Sequence, residues 1–173
     1  MDEQKKAIQE RLQADCHAFM EWANRLPGEQ FAAKANSKWS VAEVLQHLYL
    51  SARPIIRLMT GPREVLSQWG PVETSSRSYN DIAVAYQIIL ETGAKAPAAL
   101  SPRPEDVQVE KSEMGARFAG VYDALAAVLE SWSISELDNY YVPHPVLGKL
   151  TVREMLYFTS IHTRHNLKLL ALV

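Results

Sequence analysis

At 173 residues the chain has the length of one domain, and two full cores would not fit within it. Hydrophobic residues make up 47% and charged residues 22%, an ordinary globular composition that excludes an intrinsically disordered chain. The net charge of −2, from 18 basic and 20 acidic residues, gives no electrostatic footprint for nucleic acid or for an anionic membrane. The single cysteine, Cys16, excludes an internal disulfide and any cysteine-based zinc cluster. No apolar run has the length of a transmembrane helix and Met1–Lys6 lacks a signal-peptide pattern, so a cytoplasmic location is expected.

Residues 2 to about 26 place Ile8, Leu12, Cys16, Phe19, Met20, Ala23 and Leu26 at three- and four-residue steps, which predicts a helix ended by Pro27-Gly28. A loop is expected from there to Trp39. Ser40 and Glu43 then have capping-box spacing, opening a helix with a stripe of Val41, Val44, Leu45, Leu48, Ala52, Ile55, Ile56 and Met59. Pro54 inside it removes a backbone donor and predicts a kink. Residues 61–78 read as an irregular connection with a helical turn around Arg63–Trp69, followed by a shorter helix from about Ser78 to Glu91.

The prolines at 97, 102 and 104 predict an extended linker running across one end of the molecule. A further helix from about Lys111 to Trp132 buries Met114, Phe118, Val121, Leu125 and Leu129, and Ser133–Asp138 reads as a helical turn. Pro143–Gly148 reads as a loop. Thr151 and Glu154 form a second capping-box pattern, opening a last helix that runs almost to Val173. No strand-like alternation of useful length occurs. One all-α domain spanning residues 1–173, a four-helix bundle, covers the apolar stripes most simply.

The histidines differ in placement. His162 falls at the edge of the apolar face of the last helix, Asn166 lies one turn on and about 40° nearer its centre, and His165 turns toward the flank. His47 sits at the margin of the stripe opened by Ser40. Inward polar groups on apolar faces need partners, and imidazoles from two facing helices can converge on one metal ion. His17 and His144 read as structural or surface residues, and Cys16, inside an apolar stripe, reads as a small core residue.

The segment Trp39–Leu48 resembles the W-S-x-x-E-x-L-x-H-L element of the DinB-like superfamily. Gly93–Pro97 resembles a mid-chain signature of one branch, and His144–Phe158 through His162 its final loop and helix. The resemblance implies a four-helix bundle of up-down-down-up type with an additional short helix, often as a homodimer. It also implies a divalent ion, nickel or zinc, held by three histidines.

His47 and His162 match two of those positions, while the third holds Asn166, with His165 beside it as a substitute. Two readings follow. One is a metal-dependent transferase using a low-molecular-weight thiol nucleophile, or a hydrolase, with the ion held by His47, His162 and Asn166 or His165. The other is a non-catalytic bundle with a degenerate metal site and a small-molecule or structural role. The aromatic residues Trp69, Tyr79 and Tyr140 would serve either a dimer contact or packing over the helix ends.

Overall fold

The computed structural model describes residues 2–35 and 38–172. Along the chain run α1 (Glu3–Asn24), the short α2 (Gly28–Ala32), α3 (Val41–Thr60), α4 (Arg63–Leu66), α5 (Tyr79–Glu91), α6 (Lys111–Glu130), α7 (Ile134–Asn139) and α8 (Val152–Ala171). Between α7 and α8 lies a two-stranded antiparallel hairpin, β1 (Tyr141–His144) and β2 (Gly148–Thr151). The protein is therefore mostly helical with one small sheet. No helix among the described residues is long and apolar enough to cross a membrane.

The helices form where apolar spacing and caps coincide. Ser40 accepts the backbone N–H of Glu43 at 3.2 Å, while the Glu43 carboxylate accepts the backbone N–H of Ser40 at 2.8 Å, so α3 begins with two orphan donors satisfied. Thr151 and Glu154 do the same for α8, and Ser78 with Asp81 for α5. Helix α3 runs unbroken through Pro54.

Helix α3 packs along α6, while α1 lies against both α6 and α8. Helix α5 covers α8, which also touches α3. The core follows the apolar stripes: Leu12, Phe19, Leu45, Ile82, Phe118, Leu125, Leu150 and Leu156 have no exposed surface. Each such side chain contributes about 1.5–3 kcal/mol relative to exposure. The terminal methyl of Met20 on α1 fills the space beside Gly115 on α6, 2.6 Å from where a Cβ would stand.

Two expectations are corrected. The segment 28–32, read as loop, is one helical turn that buries Phe31 on the core; residues 36 and 37 of that loop lie outside the described residues. Pro143–Gly148, also read as loop, contributes the end of β1 and the first residue of β2, paired Val142 to Leu150 and His144 to Gly148. Four-residue strands are too short to show alternation, and Pro143 is tolerated because a two-stranded sheet consists only of edges. Gly148 has φ +73°, the left-handed region that favours glycine. Trp69, Tyr79 and Tyr140 are partly buried against the core.

Candidate functional site

Helices α3 and α8 bring His47 and His162 together. The two Nε2 atoms lie 3.0 Å apart, and the residues are only 5% and 7% exposed. His47 Nδ1 lies 2.7 Å from the backbone carbonyl of Leu100, which sits in a 3-10 turn (Ala98–Leu100) of the proline-rich linker. A carbonyl only accepts, so His47 carries its proton on Nδ1 and, as a neutral ring, turns a lone pair on Nε2 toward His162. His162 completes the relay by donating from Nε2.

Burial lowers the pKa of both rings. For His162 the shift takes it well below the ordinary histidine range, reinforced by His47, His165 and His144 nearby. At neutral pH this is a pair of uncharged imidazoles. Trp39 packs on His47 at 4.9 Å between ring centroids, while Phe158 stacks on His162 at 5.1 Å with 21° between planes.

The pair opens onto a cavity of about 1260 Å³. Its walls are chiefly apolar side chains of α3, α5 and α8, with the linker and the hairpin lining it on other sides. Among the described residues no Asp or Glu lines it.

Asn166 and His165 both reach the cavity wall, but neither is engaged with the pair. The Asn166 amide donates to the His162 backbone carbonyl at 2.9 Å, one turn back on its own helix. The His165 ring packs edge-on against Tyr86 at 5.5 Å. His17 lies on the surface, 3.9 Å from Glu21. Cys16 is buried, which pushes its thiol up to about 12.

His144, expected to be structural or at the surface, does hold the hairpin turn, and what the sequence does not show is its place in the cavity wall. It lies in the cavity wall at the end of β1, with its ring 4.2 Å from Phe158. Its Nδ1 accepts the backbone N–H groups of Val146 at 3.2 Å and Leu147 at 3.0 Å, so it also shapes the hairpin turn. Burial pushes its pKa down to about 4. Between that value and 6.5 the unfolded chain binds a proton that the folded chain refuses, so stability falls as pH falls through this window. The loss is up to about 1.4 kcal/mol per pH unit from this one group. Thermal melts from pH 7 to pH 4 should therefore decline more steeply for the wild type than for His144→Asn; parallel curves would contradict the assignment.

The donor set bears on the metal expectation. Two tetrahedral imidazole nitrogens on a zinc ion stand about 3.4 Å apart, whereas 3.0 Å is hydrogen-bond length. Among the described residues no group of three His, Cys, Asp or Glu side chains is placed to hold a metal ion. Position 166 is turned to its own backbone. As placed, the residues bring two nitrogens together, and a third donor would have to come from Asn166 or His165.

No curated protein and no solved structure matches the chain. A family model does, that of the DinB superfamily, over residues 11–170. That match takes in the helix bearing His47, the hairpin and nearly all of the helix bearing His162, and the chain belongs to the DinB superfamily.

Proposed function

We propose that this protein is a small-molecule-binding member of the superfamily. In this reading its long helices α1, α3, α6 and α8 form an up-down-down-up four-helix bundle, with α5 as the added shorter helix. The cavity holds an apolar molecule against the neutral His47–His162 pair. One observation carries the reading: a cavity of about 1260 Å³, chiefly apolar, ends on two uncharged imidazoles. Ligand clefts commonly measure about 300–1,000 Å³ and combine apolar walls with a few convergent polar groups.

The test uses a probe without polar groups. Trp22 and Trp39 line the cavity and report on its contents by fluorescence. Titration with 2-ethylnaphthalene should give saturable quenching, which Ser51→Phe, filling the cavity from α3, should abolish. Absence of saturable binding to the wild type would overturn the reading.

A second reading is favoured by one observation. The Leu100 carbonyl fixes the His47 tautomer as outer-shell partners of metal-ligating histidines do. In this reading nickel or zinc is held by His47 and His162 with Asn166 or His165 as third donor, in a transferase using a low-molecular-weight thiol or in a hydrolase. It requires the Asn166 amide to leave its bond to His162, or His165 to leave Tyr86.

The exposed side chains Val84 and Ile88 on α5, and Leu169 and Leu172 at the end of α8, are where we place the contact of a homodimer. A cytoplasmic location agrees with a lone, buried thiol.

A further inference from the structure

His144, in the cavity wall, carries a hydrogen-bond donor of fixed identity. Its Nδ1 accepts two backbone N–H groups and so bears the lone pair, which puts the proton of the neutral ring on Nε2. That Nε2–H has no hydrogen-bond partner among the described residues. The Phe158 ring packs against both His144, at 4.2 Å, and His162, at 5.1 Å, so both imidazoles border the same part of the cavity wall. The charged residues of the cavity wall agree: Lys38, Lys95 and Lys34, the last paired with Glu43 at 2.8 Å, line it, and among the described residues no carboxylate does. The acceptor is missing from the protein side.

We propose that His144 is a ligand-binding residue whose Nε2–H donates to an acceptor oxygen, a carbonyl or carboxylate, on an otherwise apolar molecule in the cavity. This rests on the reading of the cavity as a small-molecule site. An occupant without an acceptor excludes water from the Nε2–H and leaves it unsatisfied. The site therefore discriminates against molecules of the same shape that lack the oxygen.

Two substitutions separate this role from the shaping of the hairpin. In His144→Asn the amide oxygen stands where Nδ1 stands and keeps the turn, but nothing replaces Nε2–H. In His144→Gln the amide nitrogen reaches where Nε2 stands and the turn acceptor is lost. The measurement is the affinity of 2-acetylnaphthalene relative to 2-ethylnaphthalene, which differ by a carbonyl. The wild type should prefer the acetyl compound about tenfold, the value of one hydrogen bond. H144N should bring the ratio to about one, and H144Q should retain a preference.

A wild-type ratio near one overturns the proposal whatever the variants do, and so does an unchanged ratio in H144N. If both probes bind equally, only the assignment of His144 fails. If neither binds, the reading of the cavity itself fails.

Discussion

Asn166→His should raise nickel or zinc affinity by about two orders of magnitude or more, because it adds an imidazole to the two nitrogens already convergent at the cavity end. Residue 166 lies one turn beyond His162 on α8 and reaches the same cavity wall. In the native chain its amide is spent on the His162 backbone carbonyl, and an amide oxygen is in any case a weaker, harder donor than imidazole. Calorimetric titration of metal-stripped wild type and variant measures the difference. Unchanged affinity would mean that a side chain at 166 cannot reach the pair, and the two-nitrogen description of the site would lose its main chemical consequence.

Trp132→Ala should cost roughly 3–5 kcal/mol and lower Tm by roughly 6–20 °C. Trp132 is 1% exposed at the end of α6, and its indole N–H donates to the Met59 carbonyl at 3.0 Å in the last turn of α3. The Arg63 guanidinium covers the ring at 3.7 Å, and Tyr140, leading into the hairpin, meets it edge-on at 6.1 Å. One side chain thus joins the ends of two long helices to the segment that carries His144. Trp132→Phe keeps most of the packing, and the Met59 carbonyl still accepts from the Arg63 guanidinium at 3.3 Å, so its loss should be smaller. A loss below about 1 kcal/mol for the alanine variant would show that the junction holds without the indole.

The parts of this fold that were legible in the sequence are those with local causes. The capping boxes at Ser40 and Thr151 were readable because both halves lie three residues apart, and the apolar stripes because helical period is local. The same periodicity put His47 and His162 at the margins of two stripes, and the structure places their Nε2 atoms 3.0 Å apart.

What escaped depends on contacts between distant segments. The Leu100 carbonyl sets the His47 tautomer across 53 residues, and nothing near Leu100 in sequence announces it. Glu154 reads as a cap, yet it also binds the Arg77 guanidinium at 2.9 Å and so ties the approach to α5 onto α8. A histidine between prolines, as His144 is, has no periodicity that would place it on a face. Two backbone N–H bonds within a hairpin fix its ring, and that turn geometry leaves no pattern in the spacing of residues.

In the proposed function the cavity takes its ligand without a metal ion. Binding of 2-ethylnaphthalene to metal-stripped wild-type protein, followed by tryptophan fluorescence with a chelator present and then with added nickel or zinc, tests this most directly. The same saturable affinity under all three conditions is the predicted result. Binding that appears only after metal is added, and is lost again on chelation, would contradict it.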